Sequence, residues 1–450
     1  MFFEENRGAV LRDWFELLRF ATTAADRDRY GECARCAGWL RRWLKGAGFD
    51  VEVVAPEGAV PPVVFAERAG SPGAPTVLFY GHYDVQPEDP AEAWDSPPFE
   101  PELRGGRVYA RGASDDKGQF FAFLQGVRAA VATGGKMPTL RVMLEGQEEC
   151  GSPDTLRLLD AWRERLRADV LMVADTGMHA SGRPAIVAGL RGVMSLTVRA
   201  RGASRDLHSG THGGLAPNAA QGLAEIAASL HDANGRIAVE GFMDGVMPPT
   251  AGERARLEQE PFDATGYAAQ TGAEPVGGEA GVAPLLRAGF LPTVEINGIH
   301  AGYGGPGGKT VIAAEGVLKL SARLVPGQPP KRCMELLLAH VKAACPRGLR
   351  LAFEDVHEGA AGFRLPMESP VFRLAQEVLA EMDPRGAVLQ WEGASIPVVG
   401  HLREVSGAAP LLVGFGSEED RIHSPDESFG LDQFQAGMAY AAGMTLALAK

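Results

Sequence analysis

Thr76-Val77-Leu78-Phe79-Tyr80-Gly81-His82-Tyr83-Asp84 is the stretch on which the reading of the fold turns. An apolar, β-rich run stops at a glycine, and an imidazole and a carboxylate follow at once. Leu140-Arg141-Val142-Met143-Leu144 repeats the pattern ahead of Glu148-Glu149, and Val170-Leu171-Met172-Val173-Ala174 repeats it ahead of Asp175. Short apolar runs bounded by turn residues read as buried strands. Open α/β sheets carry their chemistry in the crevice beyond the carboxyl ends of such strands. With Asp115 and His423, these residues form a set of imidazoles and carboxylates suited to a pair of divalent metals.

Working outward, residues 10–20 and 33–46 read as helices, the second stopping at Gly46, and strands follow at 51–54 and 63–67. Residues 114–133 read as a long helix opening with acidic groups, which suit the positive end of its dipole. Strands separated by helices indicate a largely parallel α/β sheet. Near residue 188 the pattern changes. A strand at 193–201, a helix at 218–230, strands at 294–299 and 317–325, a helix at 331–344 and a strand at 349–356 make the β-α-β-β-α-β order of a ferredoxin-like unit. The connection 232–292 is rich in Gly, Pro and acidic residues and reads as an irregular surface loop. After 359 the α/β pattern returns, with helices at 370–382, 396–406 and 431–448 and strands at 388–390 and 410–415. The expected architecture is one α/β domain, 1–187 and 359–450, interrupted by an inserted α+β domain, 188–358.

A chain of 450 residues exceeds the ~250–300 at which single cores stop growing. Hydrophobic residues at 45% and charged residues at 22% describe an ordinary globular composition. A formal charge of -13 argues against a nucleic-acid partner or an anionic membrane surface. No run approaches the ~18 unbroken apolar residues of a membrane span, and the first residues lack the basic start and apolar core of a signal peptide. Cys33, Cys36, Cys150, Cys333 and Cys345 are odd in number and scattered, which fits a reduced, cytoplasmic protein. Cys33 and Cys36 have the C-x-x-C spacing but no second pair of ligands, and read as two helical cysteines facing a core.

The polar groups at the strand ends have a chemical logic. His82 offers a neutral imidazole ligand whose other nitrogen needs a partner, and Asp84 stands where it can supply one. Asp115 can reach two metals with its two oxygens; Ser114 and Asp115 would equally serve as helix caps. Glu148 and Glu149 are costly side by side unless something cationic neutralises them. If one is a ligand, the other is free to act as a general base. Asp175 repeats the strand-end placement, and His423 gains weight only from the company it keeps.

The segments around His82, Asp115, Glu148-Glu149, Asp175 and His423 resemble the di-zinc M20 metallopeptidases, a clan of carnosine dipeptidases, aminoacylases and glutamate carboxypeptidases. The resemblance implies a zinc-exopeptidase-like α/β/α domain, with His82 and Asp175 on one metal, Glu149 and His423 on the other, and Asp115 bridging. It implies Glu148 as general base, Asp84 as the group orienting His82, and a cis bond between Asp115 and Asp116. Zinc is the implied metal, and manganese or cobalt also suits His and carboxylate ligands. Tyr83-Asp84-Val85-Gln86-Pro87, Trp94-Asp95-Ser96-Pro97-Pro98-Phe99, Asp206-Leu207-His208-Ser209-Gly210, Lys309-Thr310-Val311-Ile312, Ser321-Ala322-Arg323-Leu324-Val325-Pro326 and Gly393-Ala394-Ser395-Ile396-Pro397 are similar to the cytosolic nonspecific and carnosine-type dipeptidases. That likeness implies that the inserted domain is a lid and a homodimer interface. His208 and Thr310 would reach the neighbouring subunit's site, while Arg323 and Ser395 would bind a substrate carboxylate. Ala394 departs from the pattern, standing where many relatives carry a second Gly. The expected activity is hydrolysis of dipeptides or short peptides. The alternatives are an N-acyl- or N-carbamoyl-amino-acid deacylase with the same site, and an inactive peptide-binding relative, which would be expected to lack ligands.

Overall fold

The computed structural model describes residues 2–55, 60–393 and 396–450. The chain divides into two compact units, one of Met1–Ala188, Leu365–Gln390 and Val398–Lys450, the other of Gly189–Arg364 and Trp391–Pro397.

The sheet of the first unit runs, strand by strand, Asp50–Val54, Val63–Arg68, Thr139–Glu145, Thr76–His82, Val170–Val173, Ala409–Leu412 and Ala185–Leu190. Thr76–His82 pairs in parallel with both of its neighbours, and Val170–Val173 pairs in parallel with Ala409–Leu412. Val77, Leu78, Phe79 and Tyr80 are all buried. Burial of successive residues, on both faces, is what a central parallel strand requires. The outer pairings are antiparallel, so the sheet is mixed where the sequence suggests a largely parallel one. The connection 55–62 shows why: it is shorter than the dozen or so residues a parallel crossover needs.

Helices Phe2–Leu18, Lys117–Ala132 and Leu431–Leu448 supply much of the apolar cover. Phe123 stacks on Phe79 with ring centroids 3.7 Å apart, and Trp14 lies 4.5 Å from Phe434. Lys117–Ala132 starts later than the sequence suggests. Ser114 and Asp115 lie before it, and Asp116, at its cap position, makes no side-chain capping bond. Their polar groups are engaged elsewhere, as shown below.

The second unit holds a four-stranded antiparallel sheet in the order Thr293–Ala301, Glu315–Leu324, Gly192–Arg201, Arg350–Ala360. Helices Ala219–Ser229 and Pro330–Ala343 bury Leu223, Ile226, Leu337 and Val341 in one core with Met194, Leu196, Val198, Leu318 and Leu320. The connectivity is the β-α-β-β-α-β order read from the sequence. Residues 232–292 are more regular than expected, carrying helices Ala251–Gln259, Ala264–Thr271 and Pro284–Phe290. The first is opened by a capping box between Thr250 and Glu253, and the second by the Asp263 carboxylate on the Gly266 N–H. Local capping sets these short helices where apolar periodicity is too sparse to announce them. No described helix is long and apolar enough to cross a membrane.

Gly126 is where helices Lys117–Ala132 and Leu431–Leu448 meet backbone to backbone. A Cβ there would lie 2.3 Å from the Met438 carbonyl oxygen. Gly126→Ala should therefore lower stability by about 1–3 kcal/mol through overpacking, although Ala is the better helix former by ~1 kcal/mol. Urea denaturation checks the sign, and a variant at least as stable as the parent would refute the close approach.

Candidate metal centre

Strand register brings the polar groups level. In the parallel pairs His82 faces Glu145 and Tyr80 faces Val173, so the chain after each strand, at Glu148 and at Asp175, emerges at the same edge as His82. The buried His82 Nε2 lies 3.1 Å from Asp115 Oδ1 and 3.8 Å from Asp175 Oδ2. On the other side of Asp115, His423 Nε2 lies 2.9 Å from Oδ2 and 3.4 Å from Glu149 Oε1. Two groups result, His82–Asp115–Asp175 and Asp115–Glu149–His423, each with its ligand atoms within 4.8 Å of one another. They share Asp115, which offers one oxygen to each histidine. The Asp115–Asp116 peptide is cis.

These residues fit divalent cations on the structure's own terms. His82 Nδ1 lies 3.1 Å from the Asp84 carbonyl oxygen and 3.4 Å from its Oδ1. With acceptors on that side, Nδ1 carries the proton and the Nε2 lone pair points at the cluster. Yet Nε2, buried, makes no hydrogen bond among the described residues, and neither does Glu149 Oε1. A lone pair 3.1 Å from a carboxylate oxygen is unfavourable unless a proton or a cation lies between them. The electrostatics agree. Burial pushes Glu148 up to about 9, with Asp175, Glu149 and Asp115 adding to the rise. Burial and Asp115 together push Asp175 up to about 7. Asp115 and Glu149 beside it push His423 up to about 10. Against the opposing pull of burial, the neighbouring carboxylates of Asp115 and Asp84 hold His82 well above the usual imidazole range. Without cations, the cluster collects protons to offset its carboxylates.

Asp84 does more than orient an imidazole. Its Oδ1 accepts the Glu148 N–H and its Oδ2 the Glu149 N–H, each at 3.1 Å. One buried carboxylate thus fixes His82 and the turn that carries both glutamates. Gln86 Nε2 donates to Glu149 Oε2 at 2.7 Å.

Sequence reasoning missed Glu427. Its Oε1 accepts the N–H groups of Ser114 and Asp115 at 2.9 and 3.0 Å. Its Oε2 accepts those of Gly112 at 2.9 Å and Arg111 Nη1 at 2.8 Å. Both members of the Arg111–Glu427 pair are buried. This carboxylate holds the loop that presents Asp115. Gly112 has φ +82° and a Cβ would meet Val85, so only glycine suits the turn. Ser114 Oγ donates to buried Asp420 instead of capping a helix. The Asp426-Glu427 dipeptide beside His423 was the only signal for this role in the sequence, and spacing alone does not say which carboxylate turns inward.

His208, Thr310 and Arg323 belong to the second unit. His208 and Thr310 are exposed and come together there. His208 Nδ1 accepts the Gly210 N–H at 3.1 Å, which leaves Nε2 protonated, 3.4 Å from Thr310 Oγ1. Arg323 lies on the Glu315–Leu324 strand, where burial lowers its pKa. Ser395 lies outside the described residues.

Two outcomes are expected. Glu427→Gln places an amide NH2 against N–H donors and should weaken cation affinity about 10–100-fold, as losses of such supporting groups do. Competition with a chelator measures this, and unaltered affinity would remove Glu427 from the design. Cation uptake at pH 7 should release protons, because His423, raised to about 10, and Glu148, raised to about 9, are protonated in the cation-free protein. Affinity should accordingly fall as pH falls. Titration of chelator-treated protein in weak buffer reads the released protons; zero release would contradict the electrostatics.

Residues 78–447 match the model of peptidase family M20/M25/M40. The chain is 31% identical over 393 residues to the Cys-Gly metallodipeptidase of Schizosaccharomyces pombe, covering 84% of this chain and 81% of that one. It is 27% identical to the Beta-Ala-His dipeptidase of Mus musculus, covering 87% and 80%. Among solved structures, the M20 family metallo-carboxypeptidase of Sulfolobus solfataricus superposes with a TM-score of 0.86 at 26% identity, covering 98% of this chain and 99% of that one. A strand-end cluster of imidazoles and carboxylates, a family model spanning most of the sequence and dipeptidases among the relatives converge on one statement: the chain belongs to peptidase family M20/M25/M40 and is a metallopeptidase.

Proposed function

We propose that this metallopeptidase hydrolyses dipeptides and short peptides at a two-cation centre, with Glu148 as general base. The observation that carries the reading is the sharing of Asp115 between two three-residue groups. His82 and Asp175 would hold one ion and Glu149 and His423 the other, with Asp115 between. Zinc suits these donors, as do manganese and cobalt. When bound, such a pair supplies Lewis acidity, polarising the scissile carbonyl and acidifying water.

The chain's own groups do the rest. Glu148 takes a proton on a carboxylate oxygen from the attacking water and passes it to the departing amine. Asp84 holds it in place through the Glu148 N–H. His208, with its proton on Nε2, is suited to donate to the oxyanion, a contribution of ~3–4 kcal/mol for one such donor. Thr310 lies beside that Nε2. Arg323 grips a peptide's terminal carboxylate bidentately, as Lys would not, and Ser395 is the second group on that carboxylate. The relatives' names, Cys-Gly and Beta-Ala-His dipeptidase, point to the same substrate class.

We assign the homodimer contact to the inserted domain. Thr293–Ala301 is an edge strand there, with Ile296 and Ile299 44% and 45% exposed, an arrangement that invites pairing with a second chain. Five free cysteines suit work in a reducing compartment such as the cytoplasm.

Glu148→Gln should lower kcat by about 10²–10⁴ while cation content, read by elemental analysis, stays at the parent level. Retained turnover would dismiss Glu148 as the base. A panel of dipeptides, tripeptides and N-acyl amino acids, assayed with zinc or manganese, tests the substrate. Hydrolysis confined to the acyl compounds would replace the dipeptidase reading with a deacylase.

A further inference from the structure

Arg191 is a half-buried cation of the second unit that the hydrolytic scheme above leaves out. It stands one residue before the strand Gly192–Arg201, in which Val193 is opposite Arg323. Its guanidinium reaches two carbonyls from distant parts of the chain. Nε donates to the Gly393 oxygen at 3.2 Å and Nη1 to the Leu291 oxygen at 3.4 Å. Leu291 lies two residues ahead of Thr293, which pairs with Arg323 across the sheet. Gly393 lies two residues ahead of Ser395. One side chain thus ties a segment paired with Arg323 and a segment leading to Ser395 to a third strand.

Packing leaves the backbone at these carbonyls little freedom. Trp391 is buried, and its ring centroid is 5.3 Å from that of Phe290. A Cβ on Gly289 would lie 2.6 Å from Trp391 Cβ, and one on Gly189 would lie 3.0 Å from Trp391 Cδ1. A Cβ on Gly393 would lie 2.4 Å from Arg191 Nη2. The guanidinium therefore rests against backbone that carries no side chain. Burial, and the Arg323 charge beside it, pull Arg191 down to about 10, with Glu295 opposing. Two guanidiniums side by side repel, and an arriving anion relieves the repulsion. A neutral amide donor would hold the same carbonyls without that repulsion. A planar, permanently charged fork spans two acceptors in fixed directions and adds to the positive potential around Arg323.

We propose that Arg191 is a positioning residue for the substrate's terminal carboxylate: it ties the chain ahead of Ser395 to the sheet that carries Arg323, and so sets a preference for substrates ending in a free acid. This role rests on the grip of Arg323 and Ser395 on that carboxylate, proposed above. It holds for a dipeptide and for an acyl amino acid alike, since both end in one.

The test is steady-state kinetics of Arg191→Met and Gly393→Ala with the cation-loaded full chain, on the parent's best substrate as the free acid and as its C-terminal amide. The first substitution removes the guanidinium, and the second pushes it off the Gly393 carbonyl. Each should raise KM for the acid by about tenfold or more, with kcat within about threefold of the parent. Each should lower the acid-over-amide ratio of kcat/KM by about tenfold or more. Arg191→Lys keeps a charge but does not span both carbonyls, and should fall between the parent and Arg191→Met. A role in stability alone would depress acid and amide turnover together and leave their ratio at the parent value, which would overturn the proposal. Should Arg191→Met fail to fold, Gly393→Ala decides. Arg323→Met separates the two levels. If it keeps the parent's acid-over-amide ratio, the carboxylate grip is refuted and the role of Arg191 with it. If it loses that ratio while the folded Arg191 and Gly393 variants keep it, the role of Arg191 alone is refuted.

Discussion

Carboxylates crowded at one sheet edge govern this molecule. Asp115, Asp175, Glu148 and Glu149 are brought together there with two imidazoles, in surroundings that penalise every uncompensated charge. Such a cluster persists only if something positive enters it, and protons on His82, His423, Asp175 and Glu148 are what the bare chain can offer. Cations are better occupants than protons, since one ion can satisfy several oxygens and a nitrogen at once. The same crowding that makes the centre expensive to assemble makes it receptive to metal.

Rigid backbone carries the burden of assembly. The parallel pairing of Thr76–His82 with Thr139–Glu145 and Val170–Val173 sets the depth at which each polar group emerges. Around that frame, a few buried carboxylates act as clamps on backbone N–H groups: Asp84 on the glutamate turn, Glu427 on the loop bearing Asp115. Carboxylates in this role accept charge-assisted bonds and fix loops with little room for drift.

Much of this is legible in the sequence. Uniform apolar runs ending in His82, Asp175 and the Glu148-Glu149 pair announced central strands with chemistry at their ends, because burial on both faces leaves no alternation to misread. The ferredoxin-like order showed in the same way, through strands that alternate and helices with one apolar stripe. Other features were hidden for physical reasons. Antiparallel edges depend on the length of a connection and not on the strands themselves. The late start of Lys117–Ala132 depends on Ser114 and Asp115 finding partners far along the chain. Glu427 looks like any surface acid until its four donors are seen. The short helices within 232–292 rest on single capping bonds, which composition masks under Gly and Pro.

The clamp formed by Glu427 has a temporal side. Asp115 and its partner His423 stand 308 residues apart, and the Arg111–Glu427 contact spans 316. During synthesis the loop 111–115 leaves the ribosome long before the segment that organises it. A growing polypeptide therefore carries these acidic residues unassembled until that late segment folds back. Ordering the translation product this way makes the candidate metal centre one of the last things the molecule acquires.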